Sequence, residues 1–253
     1  MIAVRELSPA QLESTLGRTS PVVKLGIALA WLIGLAFTLE VLPPLVMGGM
    51  ALAAGISIGR IPGERLGRTL APLWLAAVGI GLFNMLFSAV NQDPAATELV
   101  RLGPFRVTEE AAAAGLGLGL RVVAIAAVGA VFALTTDATR LVDSLVQQAK
   151  VPERFAYGAL AAYQAIPRFA EDLATLRQAR RIRGLRGTWH PRLLLGLLVL
   201  AIRHGDRMAL AMDARAFGSG PRTSYRDVGW TARDGIITLA AFAVLWVALA
   251  LGR

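Results

Sequence analysis

The sequence predicts an all-α integral membrane protein with about five transmembrane helices and a region of long amphipathic helices on one side of the bilayer. Three observations carry this. Of 253 residues, 55% are hydrophobic and only 17% charged, a membrane composition rather than a soluble one. Several stretches lack charge over the ~20 residues a helix needs to cross the hydrocarbon core. The lysines and arginines gather in the gaps between those stretches, and almost all of them in alternate gaps.

In order, residues 1–20 are a polar lead-in, and 22–39 is apolar except for Lys24, which sits where it can snorkel from the end. Residues 41–59 carry no charge, with Glu40 and the Pro43-Pro44 pair at the turn between the two spans. A short basic loop with Arg60, Arg65 and Arg68 leads to the uncharged span 70–92, whose Pro72 is expected in the first helical turn, where a missing N–H is harmless. Residues 91–110 read as a mixed loop. The fourth span, 111–136, is interrupted only by Arg121. No further span appears until the C-terminal 234–253. The chain therefore divides into N-terminal transmembrane helices (1–136), a cytoplasmic region (137–233) and a final transmembrane helix (234–253).

Orientation follows from the positive-inside bias. With the N-terminus inside, 22 lysines and arginines fall on the cytoplasmic side and 3 outside. Residues 140–233 hold 16 of them against 7 carboxylates, which accounts for the whole-chain charge of +9 and the pI near 11.2. Nucleic-acid binding is excluded as the reason for that charge, since the basic residues are not interleaved with aromatic or groove-reading elements. No cysteine is present, and two histidines without HExxH-type spacing make no metal site.

Within 137–233, Thr136-Asp137 can cap a helix running to about Lys150, and Val151-Pro152 ends it. Residues 155–166 are apolar but too short to span, and Pro167 marks a kink or restart. The next helix ends in Arg177, Arg180, Arg181 and Arg183, cations suited to the negative end of a helix dipole, with Gly184 as the residue past the end. A second helix runs from 192 to 217 and stops at Gly218-Ser219-Gly220-Pro221. Its aliphatic part, 193–202, is about 15 Å long and is expected to bury against other helices, at the membrane surface or in a protein groove. Met208, Ala211 and Met212 share a face of its second part. Met208 and Met212 suit either core packing or a groove that changes shape. Both helices thus end in an arginine beside small residues, Arg183-Gly184 and Ala214-Arg215-Ala216.

The sequence resembles the transmembrane T component of energy-coupling factor (ECF) transporters, the ABC-type uptake systems for vitamins and metal ions. The residues that carry the likeness are Thr135-Thr136 with Leu141, Val151-Pro152, Ile166-Pro167, Glu171-Asp172, Gln178-Ala179, Arg183-Gly184, Asp213-Ala214-Arg215, Phe217 and Pro221-Arg222-Thr223. Two Ala-Arg-Gly signatures end that family's coupling helices. Here they read Ile182-Arg183-Gly184 and Ala214-Arg215-Ala216, and Gln164 stands where an arginine is expected.

The resemblance implies two cytoplasmic ABC-type ATPases gripping the coupling helices, and a separate membrane S component that captures the substrate. Arg183 and Arg215, with Gly184, Ala214, Ala216, Met212 and Arg180 around them, would form the ATPase-coupling sites. ATP and Mg²⁺ would belong to the ATPases, leaving this chain in the cell membrane without a cofactor, a metal or a catalytic residue. In keeping with that, no GxxxxGK[ST] loop occurs.

Two other classes were weighed. A membrane enzyme such as an alcohol phosphatidyltransferase would need carboxylates recurring at helical spacing around a metal, and Asp213, Asp227 and Asp234 do not recur that way. A self-contained channel or carrier should place polar or broken helices at mid-membrane, where only Asn84 and Arg121 qualify. Arg121 reads either as a functional intramembrane charge or as a side chain snorkelling to the outer interface from a span beginning near Leu116. Gly115 and Gly119 suit close helix packing or docking of an S component.

Overall fold

The computed structural model describes residues 11, 13–38, 40–92, 97–102, 105–185, 190–220 and 223–252. They are helical nearly throughout, as expected, and fall into two compact units, one of described residues from 11 to 137 and from 229 to 252 and the other of those from 138 to 228.

The first unit holds α1 (Pro21–Ala36), α2 (Leu42–Ser57), α3 (Gly63–Phe87), α4 (Glu109–Thr135) and, from the far end of the sequence, α8 (Ala232–Leu251). Helices α3, α4 and α8 are long and apolar enough to cross a membrane. The first two expected spans are shorter in the structure, 16 residues each, or about 24 Å. The chain leaves helical geometry after Phe37, and Pro43 and Pro44 then occupy the first turn of α2, where their missing N–H groups cost nothing. Conversely, α3 starts earlier than expected: Arg65 and Leu66 N–H donate to the Pro62 carbonyl, and Leu66 and Leu70 are buried with Val131 and Leu134 of α4, while Glu64 and Arg68 pair at i, i+4 on the exposed side. Pro72 is therefore inside the helix, not in its first turn.

Helices α3 and α4 approach until backbone touches backbone. A Cβ on Gly115 would lie 2.6 Å from the Gly81 carbonyl oxygen, and one on Gly119 3.2 Å from that of Ala77. The small-residue ridge of α4 is thus used inside this unit, which answers one of the two readings it allowed. Between these helices the expected loop contains an antiparallel hairpin, β1 (Glu98–Leu102) and β2 (Phe105–Thr108), with Arg106 Nε 3.2 Å from Glu98 Oε2. Asn91 ties the α3 end to the α4 start. Its Nδ2 donates to the Met85 carbonyl (2.9 Å), and its Oδ1 accepts from Thr108 N–H and Oγ1 (both 3.0 Å). Thr108 in turn caps α4 through Ala111 N–H.

At the opposite end, Lys24 does not snorkel. It is buried and donates from Nζ to the Thr135 carbonyl at 2.7 Å, a cation on the negative end of α4. Asp234 closes a capping box with Thr231 at the start of α8 and also accepts the Ser20 N–H at 2.9 Å. The carboxylate that hinted at a metal-binding string is therefore a structural cap.

The second unit comprises α5 (Ala138–Gln147), α6 (Glu153–Ile182) and α7 (Pro191–Ala214). The expected break at Pro167 does not occur, and α6 runs through it for 30 residues. Proline removes one N–H, but alanines at 159, 161, 162, 165, 170 and 174 are the best helix formers on either side. Val142 of α5 packs on Ala156 and Leu160 of α6. Tyr157 donates to Asp143 Oδ1 at 2.9 Å, and burial, then that bond, push the phenol up to about 12. After α7, Gln147 holds an extended segment by both amide atoms, donating to the Arg226 carbonyl at 2.7 Å and accepting from Val228 N–H at 2.8 Å.

Gly115→Ala is expected to destabilise the first unit by about 1–3 kcal/mol through overpacking. Gly129→Ala, whose Cβ would meet nothing within 4 Å, should be neutral or mildly stabilising. Thermal unfolding in detergent compares the two.

Candidate functional site

The two arginines singled out by the sequence occupy the same structural position. Arg183 is the C-cap of α6 and Arg215 the C-cap of α7, and both are exposed. Each helix closes with the same pair of bonds. In α6, Gly184 N–H reaches the Arg181 carbonyl (3.0 Å) and Leu185 N–H the Arg180 carbonyl (3.2 Å). In α7, Ala216 N–H reaches Asp213 (2.9 Å) and Phe217 N–H reaches Met212 (3.0 Å). This is the Schellman closure, which needs a left-handed residue just past the cap. Gly184 supplies it at φ +70°, and Ala216 adopts it at φ +54° despite its Cβ. The departure from the glycine pattern thus leaves the fold of the tip intact and adds local strain.

Around Arg183, Ile182 is 87% exposed and Leu185 48%, so the cation stands between two apolar side chains. Around Arg215, Ala214 and Ala216 are exposed, and Leu210 sits one turn back, 69% exposed. Each tip carries a fork-shaped donor at its C-cap, suited to a groove holding a carboxylate. Arg180 lies a turn inside the α6 tip, half-buried, with Nε inaccessible to solvent and without a hydrogen bond among the described residues.

Helices α6 and α7 are antiparallel. Leu176 lies against Gly196, with its Cδ1 3.3 Å from where a Cβ would be. The Phe169 ring meets the His204 ring edge-on at 6.0 Å. The tips therefore sit at opposite ends of the pair. From Arg154, bonded beside the α7 tip, to Arg183 is 29 residues of α6, roughly 40 Å.

Arg154 is the residue that sequence reading missed. Its Nη2 donates to the Gly218 carbonyl at 2.7 Å, fixing the turn after Arg215 to the start of α6. Gly218 has φ +79°, and a Cβ there would run into the Arg154 Nε, so this glycine makes room for the clamp as well as ending the turn. A bond across 64 residues leaves no local signal.

Between α6 and α7 a groove of about 350 Å³ is lined by Gly158, Ala161, Ala162 and Ala165 on one side and Ala201, Gly205 and Ala209 on the other, with Met208 and Met212 along it. Both methionines that could have been core or groove residues face this space. The aliphatic start of α7 is not covered by other helices of this chain, which leaves the membrane surface or a partner's groove of the three expected coverings. Leu193 is buried, but Leu194, Leu195, Leu198, Val199 and Ile202 are each at least half exposed, a stripe for bilayer or partner to cover.

Arg121 belongs to the first unit. It lies 12 residues into α4, about 18 Å from the helix start, because α4 begins at Glu109 and not near Leu116. The route to the interface expected for it is accordingly longer. Its Nε is inaccessible to solvent and has no hydrogen-bond partner among the described residues. No group of three His, Cys, Asp or Glu that could hold a metal is found among the described residues.

Comparison with known proteins matches residues 15–225 to a family model, CbiQ, described as cobalt transport protein. An energy-coupling factor transporter transmembrane protein EcfT of Heliobacterium modesticaldum is 29% identical over 250 residues, covering 92% of this chain and 91% of that one. The protein of the same name in Bacillus subtilis is 27% identical, covering 78% and 80%. An ABC transporter ATP-binding protein of Bifidobacterium longum is 25% identical over 97% of this chain but only 32% of its own length.

Ala216→Gly should raise stability by about 1 kcal/mol and Gly184→Ala lower it by about as much, since only one of the two tips already has the residue its geometry favours. Chemical unfolding followed by far-UV circular dichroism reads both. Arg154→Ala should leave the Arg183 tip unchanged while amide exchange at residues 215–219 rises at least tenfold, the loss of about 1.4 kcal/mol of local protection. Equal exchange in variant and parent would show that the clamp does not hold the turn.

Proposed function

The chain belongs to the CbiQ family of cobalt transport proteins, and on that premise we propose that it is the transmembrane T component of an ECF-type importer, carrying ATP-driven motion from two cytoplasmic ATPases to a substrate-binding S component. The observation that carries the reading is the pair of identically closed arginine tips at opposite ends of one antiparallel helix pair. Points roughly 40 Å apart are too far for one groove and suit one ATPase each. Closure of two ATPases on ATP would then move both ends of α6 and α7 together. The Bifidobacterium longum relative, whose name marks it as an ATP-binding protein and whose match to this chain covers a third of its length, supports the pairing.

ATP and Mg²⁺ belong to the ATPases in this reading, and hydrolysis occurs there. Placing 22 of the lysines and arginines inside puts α5–α7 in the cytoplasm and the β1–β2 hairpin outside. The small-residue groove between α6 and α7, continuous in chemistry with the exposed aliphatic stripe of α7, suits close approach of an S-component helix. Arg121, an intramembrane cation, would pair with an acidic group of the S component. The cargo is a vitamin or metal ion selected by that subunit.

Affinity purification of the tagged chain tests the assignment. Two ABC ATPases should co-purify with the parent protein, one should be lost with Arg183→Glu or with Arg215→Glu, and both with the double variant. A double variant that retains both ATPases would remove the arginines from the coupling role.

A further inference from the structure

The first unit contains a cavity that neither its packing nor ATPase coupling uses. About 280 Å³ in volume, it lies among α1, α2, α4 and α8. Its floor is buried and formed by Trp31, Ala51, Val128 and Val131. Its sides are α2 and α8. These touch at one end, where a Cβ on Gly252 would meet Pro43 at 2.6 Å, and part toward the other, where Met50 and Ile58 face Ile237 and Val244. Met50 and Ile58 are 46% and 44% exposed, so the wedge opens sideways onto the surface that meets the bilayer. Trp31 Nε1 donates to the Ala241 carbonyl at 3.0 Å, so even the indole N–H is withdrawn from the space.

The lining settles the chemistry of an occupant. From Lys24 to Trp31, or from Thr135 back to Val128, seven residues of helix give a length of about 10 Å. Lined almost wholly by apolar side chains, the space suits a hydrocarbon chain. The polar end is cationic. Lys24 and Thr135 line it, and Arg60 follows Gly59, whose Cβ would lie 3.2 Å from Thr135 Cγ2. Arg18 and Arg233 flank Ser20 and Asp234, which bond each other at 2.9 Å. All three arginines are exposed. Asp234 is committed to Ser20 and Thr231, and Glu64 to Arg68; among the described residues Glu13 and the partly exposed Asp137, two residues past Thr135, are the further acids nearby in sequence.

We propose that this wedge is a specific site for one acyl chain of an anionic phospholipid, its head group held by Arg18, Arg60 and Arg233. Such a lipid fills the gap between α2 and α8 and makes their spacing depend on membrane composition. The proposal needs only the membrane placement of this unit, not the identity of the ATPase or S-component partners.

The test uses the full-length chain with Trp74, Trp189, Trp230 and Trp246 changed to Phe, leaving Trp31 as the sole tryptophan, reconstituted in vesicles containing a few per cent of acyl-brominated lipid. Brominated phosphatidylglycerol should quench Trp31 at about fivefold lower mole fraction than brominated phosphatidylcholine, the preference expected of a single surface cation or more. Arg18→Gln/Arg60→Gln/Arg233→Gln should abolish the preference while keeping the quenching. Ala54→Phe/Ala241→Leu, which fills the wedge, should abolish both. Equal quenching by the two lipids, unchanged in the filled variant, would mean ordinary solvation by bulk lipid and overturn the proposal. Absence of quenching by either lipid would do the same by showing that protein side chains or a second copy close the wedge. The arginine variants alter only exposed side chains, so they report even if the filled variant fails to fold.

Discussion

The antiparallel packing of α6 on α7 is the constraint on which the second unit turns. Two helices of 30 and 24 residues laid head to tail have their C-terminal ends as far apart as the fold allows. Because a helix end leaves carbonyls unbonded, each must be closed, and the closure chosen here leaves the cap residue facing outward. Position and presentation of Arg183 and Arg215 thus have separate causes, the first in packing along the pair and the second in local hydrogen bonding. Glycine and alanine along the facing sides let the helices approach, and they leave the groove in which Met208 and Met212 lie.

The first unit is held by a different principle. Its helices are apolar all round, so burial does little to choose their partners in a bilayer, and the choice falls to backbone approach and to a few polar ties. Gly81, Gly115 and Gly119 provide the approach between α3 and α4. Asn91 joins those helices at one end of the bundle, while Lys24 on Thr135 and Asp234 on Ser20 join α1, α4 and α8 at the other. Each tie satisfies a helix terminus that hydrocarbon could not.

Much of this was legible in the sequence, because charge-free runs and arginine-bearing helix ends are local signals. Gly184 and Arg183 could be placed from the residues alone, and the class of fold from composition. What was not legible was long-range or compensated. Nothing near Arg154 announces Gly218, and nothing near Lys24 announces Thr135. Pro167 reads as a break until the alanines around it are weighed. The aliphatic run at 193–202 reads as needing cover, but hydrophobicity alone does not say whether the covering surface is in the same chain. Residues 98–108 read as loop because strands of five and four residues are too short to show alternation. Ala216 is the instructive exception, since its tip forms the expected turn with a residue that disfavours it.

That last feature makes the two ends of the pair mechanically unequal. The α6 terminus is closed by a glycine at rest, whereas the α7 terminus is closed by a side chain held against its preference and steadied from outside by the Arg154 guanidinium. The order of the α7 tip therefore hangs on a residue at the root of the other helix, whereas the α6 tip depends only on its own turn.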